Sequence, residues 1–166
     1  MFIIGIIANT MQSKKIKKEI QQENLNAEIV FINSKSMQNI KNVKFEIVVI
    51  QNLLEKIREN KKVLKEIFKN SKYLLLNTDL VIEEDLFEET SAKIITYGLK
   101  QKSTITASSM EDSQVIISIQ RAFENLQGNV IEVQEIPSKI DKEGANYIDN
   151  LLIKTAIINI NDAKNA

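Results

Sequence analysis

The chain contains no cysteine, no histidine and no tryptophan, and it has only one proline and four glycines. Without cysteine it can form no disulfide bond, no thiolate nucleophile and no cysteine metal site. Without histidine it lacks the commonest metal ligand and the usual acid–base side chain near neutral pH. The scarcity of glycine limits phosphate-binding loops, in which the backbone must approach an anion closely. These absences exclude the common thiol-dependent and histidine-dependent enzymes.

The residues that are present are typical of a globular chain. Its 166 residues are 43% hydrophobic and 27% charged, which fits a single domain over residues 1–166. Lys plus Arg and Asp plus Glu both number 22, so the net charge is +0 and we expect no nucleic-acid partner. The opening run MFIIGIIA is too short to span a membrane and has no basic residues before it. We therefore expect a cytoplasmic protein with no membrane partner.

Apolar runs alternate with amphipathic stretches over residues 1–100. Spacing of apolar residues predicts a helix around Ile16 and Ile20, a longer helix over Leu53–Asn70 and an acidic helical turn over Glu83–Glu89, whereas Asn33–Asn42 is polar. The predicted strands are Phe2–Ala8, Ala27–Ile32, Phe45–Ile50, Tyr73–Leu76 and Lys93–Leu99. Strands that alternate with helices indicate right-handed crossovers and a parallel sheet.

The pattern changes after residue 100. Three apolar stretches, Thr104–Ser109, Val115–Gln120 and Val130–Ile136, predict an antiparallel meander over residues 101–140. The largely apolar stretch Tyr147–Ile160 predicts a buried closing helix within residues 145–162. The predicted fold class is therefore α/β: a three-layer, mostly parallel Rossmann-like sheet with flanking helices, followed by an antiparallel meander and a closing helix.

Several short motifs occur in the order and spacing of a known family. Ile50-Gln51-Asn52 and Asn77-Thr78-Asp79 both end apolar strands, and Gly144–Asn150 runs into the closing helix. Two further motifs, Ile94–Leu99 and Thr104–Ser109, lie in predicted strands. Together these segments resemble the central ATP-binding domain of the Mur ligases, where the corresponding motifs are T-N, N-A-D-D, G-x-H-N-x-x-N-A-L-A-A, I-T-Y-G and D-V-R-A-S. The resemblance implies the fold of that central domain, without the family's N-terminal and C-terminal domains.

The departures from the family pattern affect its catalytic groups. The glycine-rich G-T-N-G-K-T loop corresponds to residues 8–15, which contain no glycine. The magnesium-binding Glu corresponds to Ile32 or Asn33, and the carbamylated lysine to Leu64, with Lys65 one place away. The Asp-His element after T-N has no counterpart. We therefore predict no catalytic residue and no metal site, and we expect neither ATP nor magnesium as a cofactor.

Six residues match the family pattern closely enough to hold a nucleotide if one binds. On the resemblance, they would contact phosphate, hydroxyl, metal and adenine groups; they are Ser13, Lys14, Asn52, Asn77, Asp79 and Asn150. Residue chemistry favours a structural interpretation for most of them. Asn-Thr-Asp is a common turn and helix cap, and the lysines from Lys14 to Lys18 form an ordinary solvated face.

The leading hypothesis is a catalytically degenerate Mur ligase-like domain that acts as a binding or interaction module. The resemblance implies a link to cell-envelope or peptidoglycan metabolism, with an unknown protein or small molecule as ligand. One alternative is a component of an ATP-dependent acid–amino acid ligase with residual nucleotide binding. A second alternative is a structural protein that self-associates, as a homo-oligomer, through a sheet edge or the closing helix.

Overall fold

The structure is a computed structural model that describes residues 2–140 and 147–162. The fold is α/β, with a mostly parallel Rossmann-like sheet flanked by helices and an additional antiparallel part. The chain divides into two compact units, Met1–Ile94 and Ile95–Ala166. The prediction of an α/β fold with a mostly parallel sheet, flanking helices and an antiparallel part is confirmed.

The first unit is built on a four-stranded parallel sheet. Its strands are β1 (Phe2–Ile7), β2 (Ala27–Phe31), β3 (Phe45–Ile50) and β4 (Ser71–Asn77), and their spatial order is β4-β3-β1-β2. In the register, Ile4 lies opposite Ile29 of β2 and Ile47 of β3. The predicted strands are confirmed to within a few residues at their ends. Strand β5 (Lys93–Tyr97) crosses the boundary between the units.

Four helices and one 3₁₀ turn connect these strands. They are α1 (Thr10–Gln21), α2 (Met37–Ile40), α3 (Glu55–Arg58), α4 (Lys61–Lys69) and the turn Glu84–Phe87. The prediction of one helix over Leu53–Asn70 is wrong, because the helix is interrupted at Asn60, whose ψ of 42° is not helical. The Asn60 side chain donates to the Lys56 carbonyl at 2.8 Å, a local hydrogen bond by which asparagine competes with helix continuation. Helix α2 was not predicted.

One part of the core of the first unit lies between the sheet and helices α2 to α4. Met37, Ile57 and Leu64 come from the three helices, and Ile7 and Val48 come from the strands. All five side chains are buried. Side chains alternate along a strand, so this cluster covers one face of the sheet.

The second unit contains an antiparallel part. Strands β6 (Ile105–Met110), β7 (Gln114–Ile119) and β10 (Gln134–Lys139) pair antiparallel in the order β10-β7-β6, and β6 pairs parallel with β5 at Tyr97. The predicted meander is therefore present, but Val130–Ile136 is not one strand. Val130–Ile131 forms β9, which pairs with β8 (Phe123–Glu124) in a separate two-stranded ribbon.

A tight turn explains this split. Gly128 has φ +82°, a conformation that glycine adopts without strain. The Asn125 side chain accepts the N–H groups of Gln127 and Asn129 at 3.0 and 2.9 Å. The turn folds β9 back onto β8 before β10 begins.

The closing helix is confirmed as α5 (Tyr147–Asn161). Leu152, Ile153, Ala156, Ile157 and Ile160 are fully buried, and the helix contacts β6. Its predicted start at 145, together with the Gly144-Ala145-Asn146 part of the family-like segment, lies outside the described residues.

Candidate functional site

The candidate site is the carboxyl edge of the parallel sheet in the first unit. From β1 the chain continues through α1 to β2 on one side, whereas β3 lies on the other side of β1. The crevice between β1 and β3 is therefore the point where the strand order reverses, which is where open α/β sheets usually bind ligands. The groups that surround it follow the ends of β1, β3 and β4.

The turn from β1 into the start of α1 contains Ser13 and Lys14, the two candidate phosphate-binding residues. Asn9 is the N-cap of α1, and its side-chain oxygen accepts the Gln12 N–H at 2.8 Å. Ser13 is buried, its N–H donates to the Asn9 carbonyl at 2.9 Å, and its hydroxyl donates to the Ala8 carbonyl at 3.4 Å. The Gln12 N–H and the Ser13 hydroxyl are therefore both used within the turn.

Lys14 and Met11 project from the same helical turn into solvent. Lys14 is exposed, as the solvated-face interpretation expects. Met11 is 64% exposed, so the turn is closed by the Asn9 cap and not by an inserted methionine. The first turn of α1 contains no acidic residue.

Asn52 and Asn77 lie at the ends of the two neighbouring strands. Asn52 is half-buried, and its backbone N–H donates to the Ile7 carbonyl at 3.2 Å, which joins the end of β3 to the end of β1. Asn77 is buried; its side-chain oxygen accepts the Asp79 N–H at 2.9 Å, and its side-chain nitrogen lies 3.5 Å from the Gln51 carbonyl. Asp79 is exposed. These bonds match the turn interpretation of Asn-Thr-Asp.

The structure thus brings five of the six candidate residues to one edge: Ser13, Lys14, Asn52, Asn77 and Asp79. Asn150 belongs to the second unit, in the first turns of α5, and is 6% exposed. Its side-chain oxygen has no hydrogen-bond partner among the described residues.

The residues compared with the family's metal-binding groups in the sequence, Ile32, Asn33 and Leu64, have structural side chains. Ile32 and Leu64 are buried in the core. Asn33 accepts the N–H groups of Lys35 and Ser36, both at 2.9 Å, in a turn before α2. Within residues 2–140 and 147–162, no three carboxylates lie close enough together to hold a metal ion. Ile32 and Leu64 provide no oxygen atom that could act as a ligand to a hard divalent cation.

The segment after β4 is held against α3 and α4. Arg58 donates to the Val81 carbonyl at 2.8 Å, and Lys61 lies 2.9 Å from Glu83 and 2.5 Å from Asp85. The hydrogen bond from Lys61 lowers the pKa of Asp85, and the same bond raises the pKa of Lys61. Lys65, next to the family's carbamylated position, lies 3.7 Å from Asp85, so its ammonium faces this acidic segment.

Two glutamines at this edge were not singled out from the sequence. Gln12 is 6% exposed and Gln51 is 7% exposed, and the Gln12 side-chain oxygen has no hydrogen-bond partner within the described residues. The sequence contains a pattern that could have pointed to Gln12, because Asn9 and Gln12 have the N-cap-to-N3 spacing of a capping box. Gln51 had no such signal, since its burial depends on neighbouring strands.

No protein-family model matches the chain, and the search of curated proteins found no match. The likeness to the Mur ligases thus depends only on the short motifs and their order. The part of the chain that the structure describes contains no helix with both the length and the apolar character needed to cross a membrane.

Proposed function

We propose that this chain is a Mur ligase-like domain that has lost the catalytic groups of that family and acts as a binding or interaction module. The observation that carries the proposal is the closed β1–α1 turn. There the N–H of Gln12 and both the N–H and hydroxyl of Ser13 are bonded within the turn. A phosphate could take the Gln12 N–H only by opening the Asn9 cap, which is worth about 1 kcal/mol.

The other strand ends support the same proposal. Asn77 uses its side chain on the turn that leads to Asp79, and Leu64 and Ile32 place apolar side chains where metal-binding groups would be needed. A hard divalent cation requires oxygen ligands, which these side chains cannot provide. The resemblance makes cell-envelope metabolism the setting in which such a module would act.

The test is a titration of the intact protein with ATP and with ADP, each with and without magnesium, followed by calorimetry and by the backbone amide signals of α1. We expect no saturable binding below millimolar nucleotide and no shift of the Thr10–Lys14 amides. Tight, magnesium-dependent ATP binding that shifts these amides would overturn the proposal.

If nucleotide binding overturns this proposal, a matched pair of lysine variants tests the ligase-component alternative. Lys14→Ala removes the residue that corresponds to the phosphate-binding lysine, and Lys15→Ala removes a neighbouring lysine that is also exposed. Nucleotide binding that is lost in Lys14→Ala and kept in Lys15→Ala would support the ligase-component alternative.

A further inference from the structure

A polar groove lies between α2 and α4 in the first unit, away from the strand ends described above. It is open to solvent on one side and has a volume of about 460 Å³. The residues that line it are Gln38, Lys41, Asn42, Lys62, Val63 and Glu66. Five of the six carry polar or charged side chains, so the groove suits a polar ligand.

The walls of this groove are fixed by the core beneath them. Met37 of α2 and Leu64 and Ile67 of α4 are buried in the same cluster. The Asn70 side chain donates to the Lys41 carbonyl at 2.9 Å, which ties the end of α2 to the end of α4. The backbone of both walls is therefore preformed, which lowers part of the entropic cost of binding, and Gln38, Asn42 and Lys62 present exposed side chains to a ligand.

The charges of the groove are incompletely paired. Helix α4 begins with Lys61 and Lys62, has no acidic residue in its first turn and has no side-chain N-cap from Asn60. Positive charge at this end opposes the helix dipole. Lys61 is compensated by Glu83 and Asp85, whereas Lys62 faces the groove.

The groove is lined by two lysines, Lys41 and Lys62, and by one glutamate, Glu66. Within the described residues, the ammonium groups of Lys41 and Lys62 form no ion pair with a carboxylate, and Glu66 is the only acidic residue that lines the groove. The groove therefore carries one more positive than negative side chain. An anion would supply to Lys62 what Asp85 supplies to Lys61.

We propose that this groove binds a small ligand through a carboxylate or phosphate group held by Lys41 and Lys62. The amides of Gln38 and Asn42 supply both donors and acceptors for the polar remainder of the ligand. Glu66 accepts a hydrogen bond from a hydroxyl or amine of the ligand. This proposal rests on the proposed function, because it gives the binding module its ligand class and its surface.

The experiment is an amide-resolved NMR titration of the intact protein with two probes, inorganic phosphate and citrate, at constant ionic strength. We expect saturable shifts in the amides of residues 38–42 and 62–66. The double variant Lys41→Gln/Lys62→Gln should weaken binding about tenfold or more, since charge-assisted hydrogen bonds dominate such sites. The matched control, Lys15→Gln/Lys18→Gln, removes two exposed lysines of α1 and should leave the affinity unchanged.

Each outcome of the titration either supports or contradicts the proposed binding groove. Saturation by phosphate alone or by citrate alone supports the groove and identifies the anionic group. Absence of saturable shifts, shifts spread equally over all lysines, or equal losses in the two double variants would overturn it. Magnesium-dependent ATP shifts at Thr10–Lys14 would instead contradict the proposed function, and they are distinguishable because they fall on α1.

Discussion

Asparagine side chains organise the turns at the carboxyl edge of the parallel sheet. Asn9 caps α1, Asn33 closes the turn before α2, and Asn77 closes the turn after β4. Asparagine suits these positions because its side-chain oxygen accepts the N–H of a residue two or three places ahead. Of the candidate residues at this edge, Ser13 and Asn77 thus use their side chains within the turns.

The Asn9 cap gives the first prediction. Asn9→Ala removes the acceptor for the Gln12 N–H, and we expect it to lower the free energy of unfolding by about 1 kcal/mol. Asn9→Asp keeps an acceptor and adds a negative charge at the helix N-terminus, so it should retain the stability. Urea unfolding measures both. Equal losses in the two variants would show that the cap is not the source of the stability.

Gly5 gives the second prediction, because β1 packs closely against the core at this residue. A Cβ atom there would lie 2.6 Å from Cδ1 of Ile32 and 3.1 Å from Cε1 of Phe45. We expect Gly5→Ala to lower the free energy of unfolding by about 1–3 kcal/mol. Thermal or urea unfolding provides the measurement.

A double variant separates this clash from other effects. Ile32→Val removes Cδ1, the atom nearest to the new methyl group. Gly5→Ala/Ile32→Val should therefore lose less stability than the sum of the two single variants, because the two changes share one contact. Strict additivity would argue against the close approach.

At the scale of elements, strands were easier to predict than connections. The continuous β-branched runs around Ile4 and Ile47 specify buried parallel strands on their own. The break at Asn60 was missed because apolar spacing continues across it, from Ile57 to Leu64. The ribbon of β8 and β9 was missed because it depends on the Gly128 conformation and on the Asn125 side chain, neither of which produces periodicity.

The contact between α4 and the acidic 3₁₀ turn gives the third prediction. The lowered pKa of Asp85 means that its stabilisation is complete above the ordinary value of 3.8 and is lost as pH falls through the lowered value. The raised pKa of Lys61 means that its contribution is complete below 10.5 and is lost as pH rises through the raised value. Across neutral pH the contribution should therefore be constant.

Asp85→Asn tests this contact. The variant should melt slightly below the parent protein at neutral pH, and the difference should shrink as the solution is acidified below the ordinary pKa of Asp85 and also at high salt. Glu89→Gln removes a neighbouring exposed carboxylate and serves as the matched control. A difference that persists in strong acid would show that Asp85 acts through something other than its charge.

At the scale of the molecule, strand alternation predicted the parallel sheet and placed Asn52, Asn77 and Asp79 at one edge. It could not predict the groove between α2 and α4, because Lys41 and Lys62 are far apart in sequence and only their tertiary placement makes them neighbours. The burial of Gln12 and Gln51 likewise depends on tertiary packing. The residue types and the spacing of apolar residues therefore predicted where the strands end, but they did not predict how charged side chains pair between helices.

The net charge of +0 also has a consequence for the whole molecule. Without net repulsion, sheet edges must be protected by their own residues. The outer strand β10 carries Glu135, Pro137 and Lys139, all exposed. The Ile140 N–H donates to the Ser113 carbonyl at 3.1 Å, so by strand alternation the nitrogen of Pro137 faces outward, where it offers no donor to another strand.

The final prediction concerns self-association through this edge, the sheet-edge form of the homo-oligomer alternative. The buried residues of α5 leave little apolar surface for association through the closing helix. We expect light scattering to find a monomer from micromolar to near-millimolar concentration, and Pro137→Val to associate more readily because it restores an outward N–H and adds β propensity. Glu132→Val places the same side chain outside β10 and should stay monomeric. Association of the parent protein that Pro137→Val leaves unchanged would locate the interface elsewhere, since an edge blocked by proline should respond to its removal.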